Sequence, residues 1–256
     1  MTAVAVSTIS VVIPVFNDAQ FLKACLEALS KQTRQPDEVI VVDNNSVDAS
    51  AAVARSFGAT VIAQPVQGIA PSSAAGFDAA TGDLIARLDA DSVPPADWLE
   101  RIEKLSRSAG PLTVVTGPGV FYGSSRVVAS LGATLYLGTF FRSLRALLGH
   151  YPIFGSNFMM SRELWMRVRG SVHRSEGPIH DDIDLSYQLQ PDMSVFFASS
   201  IAVGISGRPF ESYQSLLQRM RWVDSTMRLN FGSLSPVVRR RRRRQWQSGI
   251  RRGVSA

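Results

Sequence analysis

Residues 84 to 95 read LIARLDADSVPP: an apolar run, Leu84 to Leu88, stops at Asp89 and Asp91, and prolines follow at 94 and 95. In extended backbone, residues two apart project to one face, so both carboxylates can enter the same crevice. Two close carboxylates repel each other and invite a compensating cation. Oxygen ligands suit Mg2+ or Mn2+, and Mg2+ commonly takes one or two carboxylates and completes its shell with substrate phosphates and water. The pair therefore suits a divalent ion that ties the chain to a diphosphate. The plainer reading is a solvated turn in which Asp91 or Ser92 caps a helix starting near Pro94 or Pro95.

A second acidic group is HDDIDL, residues 180 to 185, with Asp181, Asp182 and Asp184. Acids this close raise at least one pKa by mutual repulsion, which suits a base working near neutrality. They equally suit the N-terminus of a helix over about 184 to 190, where the macrodipole favours negative charge. In QRMRW, Arg221 can grip a phosphate bidentately, and Trp222 offers a flat apolar face for a sugar. Alternatively, Trp222 packs into the core and Arg221 forms a surface ion pair. The three histidines lie too far apart for a zinc site. Cys25, the single cysteine, excludes an internal disulfide and sits at core spacing.

Secondary structure must carry these groups to one place. TISVVIPVFN, rich in β-branched residues, reads as a buried parallel strand. Asn17 or Asp18 can cap the next helix, whose apolar face is Phe21, Leu22, Cys25, Leu26 and Leu29. DEVIVVDNNS supplies a second strand, and Ser46 or Asp48 can cap the helix after it. ATVIAQ is a third strand, and a small-residue helix over about 72 to 81 leads to the fourth, DLIARLDAD. Strand and helix in alternation predict an α/β fold around a mainly parallel, doubly wound sheet. Ligands bind such sheets beyond the carboxyl ends of the strands, where Asn17, Asp18, Asp43 to Ser46, Asp89 and Asp91 stand. Past residue 110 the pattern is less regular. PLTVVTGPGVFYG reads as strand and turn, residues 125–148 as helical, SVFFASSIAVGIS as one or two strands, and residues 212–230 as a last helix.

The 256 residues suffice for one large α/β domain. The formal charge is +6, but RRRRRR at 239–244 with Arg251 and Arg252 supplies eight positive charges, so the rest of the chain carries −2. From Ser235 the composition predicts a flexible tail. MTAVAVSTIS lacks the basic region of a signal peptide, and no run of about 20 apolar residues is free of charge. A cytoplasmic chain without a transmembrane helix is expected. Residues 127–148 pair an apolar face with Arg142 and Arg145 and can lie in a membrane interface. Arginines near anionic lipid add about 1 kcal/mol each. A core helix with a solvated tail is the competing reading. Trp246 is the one aromatic within the tail, so specific nucleic-acid binding is the poorer explanation.

VVIPVFND, EVIVVDNNS and ATGDLIARLDADSVPPADWL, followed by FGSNFMMSRELW, HDDIDLSYQL and QRMRW, resemble family 2 glycosyltransferases, inverting enzymes of the GT-A fold. The resemblance covers about residues 9 to 222. It implies one GT-A domain over 1–235, with a nucleotide-sugar-binding half at about 9–110 and an acceptor and catalytic half at 111–235, before the arginine-rich tail of 236–256. It implies that Pro14, Val15 and Asn17 wall the nucleobase pocket and that Asp43 hydrogen-bonds the base. Asp91 matches the direct metal ligand of a D-x-D motif, with Asp89 nearer the ribose or the metal's waters. Asp182 matches the general base, and Asp181 replaces a glutamate of the family's E-D-x-D segment. Asn157 lies in a segment that lines the sugar or acceptor pocket, and Asp181 and Trp222 are expected to face the acceptor. Arg221 is assigned to the donor's phosphates. Many relatives carry Arg-Asn where this chain has Ser73 and Ala74, and Arg87 is the residue that can replace the missing cation.

The implied function is transfer of a sugar from a nucleotide-diphosphate sugar, with Mg2+ or Mn2+, to a saccharide or lipid-linked acceptor, at an anionic membrane surface if the tail binds one. Two alternatives stand beside it. A degenerate, membrane-associated scaffold fits the Ser73–Ala74 departure. A sugar nucleotidyltransferase would need a glycine-rich, basic phosphate loop near the first strand, and IPVFNDAQF has neither glycine nor arginine.

Overall fold

β1 (Ile9–Val15) is buried along its whole length because its two faces feed two cores. Ile9, Val11, Ile13 and Val15 pack with Leu22, Cys25, Leu26 and Leu29 of α1 (Ala19–Leu29). Val12 points the other way, toward Ala74 and Phe77. This is the side-chain alternation of a strand covered on both faces. The computed structural model describes residues 7–122, 138–175, 177–208, 213–232 and 235–253.

β2 (Glu38–Asp43), α2 (Ser50–Ser56), β3 (Thr60–Ala63), α3 (Ile69–Ala79) and β4 (Leu84–Arg87) follow in alternation. β2 and β4 flank β1 in parallel, with Val15 opposite Asp43 and Val12 opposite Arg87. Strand order therefore reverses at β1, and such a reversal opens a crevice at the carboxyl ends of the central strands. α3 lies close on the sheet because position 76 is glycine: a Cβ there would stand 2.3 Å from Val12 and 2.9 Å from Val42.

Next come α4 (Trp98–Ala109), β5 (Thr113–Thr116), β6 (Gly119–Tyr122) and α5 (Gly138–Leu148). β7 (Phe158–Ser161), α6 (Arg162–Val168), α7 (Asp181–Gln188) and β8 (Ser194–Phe197) follow. β9 (Val203–Ser206), α8 (Tyr213–Phe231) and α9 (Pro236–Gly253) are the last elements among the described residues. The central sheet has seven strands in the order β3-β2-β1-β4-β7-β5-β8. It is mostly parallel, as expected, but β7 runs antiparallel between β4 and β5. β6 and β9 form a separate parallel pair, and a Val93–Gly204 bridge docks β9 against the loop after β4.

Of the helix expected over 125–148, Gly138–Leu148 is helical, and residues 125–137 lie outside the described residues. The flexible tail expected from residue 236 is corrected: Pro236–Gly253 is a helix, with Arg239 and Arg243 buried. One helical turn separates those two arginines, so both side chains leave the same face, and main-chain carbonyls receive them there. Among the described residues, no helix is long and apolar enough to cross a membrane.

Candidate active site

β1 and β2 end side by side, and their loops form one lip of the crevice. Pro14 and Val15 are buried at the end of β1. Asn17 takes a left-handed φ of 49°, which Asn tolerates better than most residues. Its Oδ1 accepts from Val47 N at 2.8 Å, and its N–H donates to Ser46 Oγ at 3.0 Å. Half-buried Asp43 accepts from Ser46 N at 3.0 Å, which holds the turn. Asn44, one of the polar residues expected at this strand end, is buried and ties the next loop to this lip through Gln64 O, Val66 O and Gly68 N.

The second lip follows β4. Asp89 Oδ2 accepts from the Ser156 hydroxyl, and Asp89 Oδ1 pairs with Arg87 Nη2 at 2.8 Å. Asp91 caps no helix, since α4 begins only at Trp98 behind Asp97. Asp91 Oδ2 instead meets Arg208 Nη2 at 3.2 Å. Arg208 also grips both oxygens of Asp18, at 2.8 and 2.6 Å, and lies 3.9 Å from the centre of the Phe21 ring. It arrives here because β9, two residues before it, is bridged to Val93. At 40% exposure it remains within reach of a ligand. Burial, and then the neighbouring Asp89, push the Asp91 carboxyl up to about 6, against the pull of Arg208.

Arg87 joins this lip to the second acidic group. Its Nη2 pairs with Asp89 at 2.8 Å and with Asp181 at 3.2 Å. Asp181 Oδ2 also accepts from Ser73 Oγ at 2.6 Å, and burial raises its pKa while Arg87 opposes that. Asp182, next in the chain, accepts from Gly155 N at 2.9 Å and from Ile183 N at 2.8 Å. A Cβ on residue 155 would lie 2.2 Å from Arg87 Nη1 and 3.1 Å from Asp182 Oδ2, so glycine alone lets this loop pass so close. Asp184 turns away from the crevice and accepts from His173 and Asn230. Trp222 is half-buried edge-on to His180, 5.9 Å between ring centres, while Arg221 is exposed on the same helix.

Five carboxylates, those of Asp18, Asp89, Asp91, Asp181 and Asp182, thus surround two guanidinium groups, Arg87 and Arg208. The carboxylates outnumber the guanidinium groups. Paired aspartates fit a hard divalent ion that shares a diphosphate's oxygens. Among the described residues, no group of three or more His, Cys, Asp or Glu is placed to hold a metal ion.

Glycosyl transferase family 2 matches residues 10–168, from β1 to the end of α6. The chain belongs to that family. Glycosyltransferase AglE of Haloferax volcanii is 37% identical over 101 residues, 36% of this chain and 33% of that protein. Undecaprenyl-phosphate 4-deoxy-4-formamido-L-arabinose transferase of Serratia proteamaculans is 40% identical over 111 residues, 40% of this chain and 34% of that protein. The matched stretches span about a third of the length of these relatives. A crystal structure of glucosyl-3-phosphoglycerate synthase from Mycobacterium tuberculosis, in complex with Mn2+, UDP and glucosyl-3-phosphoglycerate, has a TM-score of 0.65 to this chain. At 23% identity over 88% of this chain and 80% of that one, it shows the shared GT-A fold.

Three site expectations for this family 2 glycosyltransferase chain are corrected by its geometry. Arg87 is 2% exposed and held by two carboxylates, so it lies beneath the site and does not face a phosphate. Asn157 is 0% exposed: Trp98 Nε1 donates to it at 2.9 Å, and it donates to Ile201 O at 2.6 Å and Pro118 O at 3.2 Å. It braces the loop before β7 and cannot touch an acceptor. Asp181 turns inward to Arg87 and Ser73. Arg208 is the site residue that the sequence reading missed.

Proposed function

We propose that the chain is an inverting glycosyltransferase that moves a sugar from a nucleotide-diphosphate sugar to a hydroxyl acceptor, with Asp182 as general base. The observation that carries this reading is the shared Nη2 of Arg87, 2.8 Å from Asp89 and 3.2 Å from Asp181. It joins the acids after β4 to the start of the helix that bears Asp182, so one sugar can span both. Asp182, aimed by the Gly155 N–H, takes the proton of the acceptor hydroxyl as that oxygen attacks the anomeric carbon. The bond from that carbon to the diphosphate oxygen breaks on the opposite face through an oxocarbenium-like state. A single displacement inverts the configuration.

Asp91, with Asp89, would hold Mg2+ or Mn2+, which when bound neutralises charge on the departing diphosphate. Arg208 can turn from Asp18 and Asp91 to phosphate oxygens and so supply the cation missing at Ser73 and Ala74. Ser73 serves Asp181 instead, which favours a working site over a degenerate scaffold. Asn17 and Asp43 face the base above the buried strand end of Pro14 and Val15, Arg221 serves the donor's phosphates, and Trp222 borders the acceptor side. The Mn2+ and UDP named with the mycobacterial synthase support the donor class and the metal. The undecaprenyl-phosphate named for the Serratia relative supports a lipid as part of the acceptor, with a saccharide hydroxyl on it as the group that Asp182 deprotonates. The exposed Arg241, Arg242 and Arg244 of α9 suit the anionic cytoplasmic face of a membrane, with the chain bound peripherally.

A panel of nucleotide sugars with Mn2+, read as released nucleoside diphosphate, tests this function. The expected result is turnover of at least one donor. Asp182→Asn is expected to lower kcat roughly 100- to 10,000-fold while UDP binding stays within twofold. Absence of both turnover and metal-dependent binding of nucleoside diphosphates overturns the reading.

A further inference from the structure

We infer that the arginine-rich terminal helix belongs to the catalytic machinery: Arg239 and Arg243 are positioning residues that hold the carbonyl end of the helix bearing Asp182. The inference rests on the proposed role of Asp182 as base.

α7 is a two-turn helix, Asp181–Gln188, with three acids in its first turn and no basic residue in its last. The last four carbonyls of any helix lack partners within it. Here α9 supplies partners for two of them, Ser186 O and Tyr187 O, and for the carbonyls that follow the helix. Arg239 donates to Ser186 O at 3.1 Å, to Tyr187 O, and to Leu189 O at 3.1 Å. Arg243 donates to Leu189 O at 3.1 Å, Gln190 O at 3.2 Å and Met193 O at 2.9 Å. Two guanidinium groups thus sit at the negative end of the helix dipole, opposite the acids at its positive end. Burial brings both down to about 10, so they remain charged at neutral pH.

The path from this clamp to the base runs through one residue. Arg239 holds the Ser186 carbonyl. The Ser186 hydroxyl donates to Asp182 O at 2.6 Å and accepts from Ile153 N at 2.8 Å. Ile153 opens the loop whose Gly155 N–H aims the Asp182 carboxylate. Arg239 Nε also donates to Leu148 O at 3.3 Å, which fixes α5 to the same point. A shift of α7 by a fraction of an ångström would move the base and its orienting N–H apart, and proton transfer requires hydrogen-bond reach.

The test uses the full chain carrying Arg239→Ala, Arg243→Ala or Arg239→Lys, with the donor selected by the panel above. Expected for Arg239→Ala are a kcat at least tenfold lower, donor KM and UDP–Mn2+ affinity within twofold of the parent, and faster amide hydrogen exchange across 182–188. Arg239→Lys keeps the charge but not the fork, and it is expected to fold with an intermediate kcat, which covers the case of an unstable alanine variant. Unchanged kcat in folded Arg239→Ala overturns the inference. So does a loss of UDP binding that parallels the loss of kcat in folded Arg239→Lys, because that marks a general structural effect. If Asp182→Asn retains full activity while exchange across 182–188 still responds to Arg239→Ala, the base assignment fails and the clamp stands apart from it.

Discussion

Arg208 pairs with acids 190 and 117 positions away in the chain, and no local pattern in GRPF announces that meeting. The placement of Asp89 and Asp91 just past β4 is legible because a strand end, an i, i+2 spacing and a following turn are all local. The outcome at Arg208 makes it the first residue to alter. Arg208→Ala removes charge-assisted bonds of roughly 1.5–3 kcal/mol, so UDP binding by calorimetry is expected to weaken about 10- to 100-fold. Unaltered affinity would exclude it as a phosphate ligand. Gly155→Ala carries a different penalty. Its Cβ would stand 2.2 Å from Arg87 Nη1, and such overpacking costs about 1–3 kcal/mol. The melting temperature should fall and turnover with it; a variant that melts and turns over like the parent would show that the loop has room to yield.

Elements differ in how far their neighbours betray them. β1, β2 and the buried face of α1 follow from β-branched runs and helical spacing, and all three match the structure to within three residues at their ends. β7 was not, because FMMS is four buried residues with no alternation and nothing in it encodes antiparallel pairing. α9 was misread because an arginine run looks solvated until the carbonyls that receive it are known. The junction of α5 and α9 yields a pH prediction. His150 Nδ1 must donate to Tyr151 O at 2.7 Å, which leaves Nε2 to accept from Arg239 at 3.3 Å. Burial, then the charges of Arg243 and Arg239, push His150 down to about 3 from its ordinary 6.5. Between those values only the unfolded chain takes up the proton. Stability is therefore full above about pH 6.5 and declines as pH falls toward 3, by up to ~1.4 kcal/mol per pH unit. Urea unfolding at pH 7 and pH 5 should show a loss of ~2 kcal/mol that His150→Gln lacks; equal losses in both proteins would move the effect elsewhere.

At the scale of the whole molecule, α9 has two faces with separate tasks. Arg239 and Arg243 point inward, while Arg241, Arg242 and Arg244 are exposed. Changing the exposed three to Gln leaves the inner pair intact. Three such charges are worth about 3 kcal/mol at an anionic bilayer, so cosedimentation with phosphatidylserine vesicles should weaken roughly 100-fold, with no change on neutral vesicles. Equal binding by the triple variant and the parent would remove the membrane from the account. Arg87 has a consequence of another kind. The family match stops at residue 168, a tempting place to cut an expression fragment. A fragment ending there would keep the guanidinium under the sheet but discard Asp181, one of the two acids that neutralise it. Stripping a partner from a buried ion pair costs about 3–5 kcal/mol, much of what a domain has in reserve. The nucleotide-facing portion should therefore come out insoluble when excised, and the gene cannot be divided at that seam.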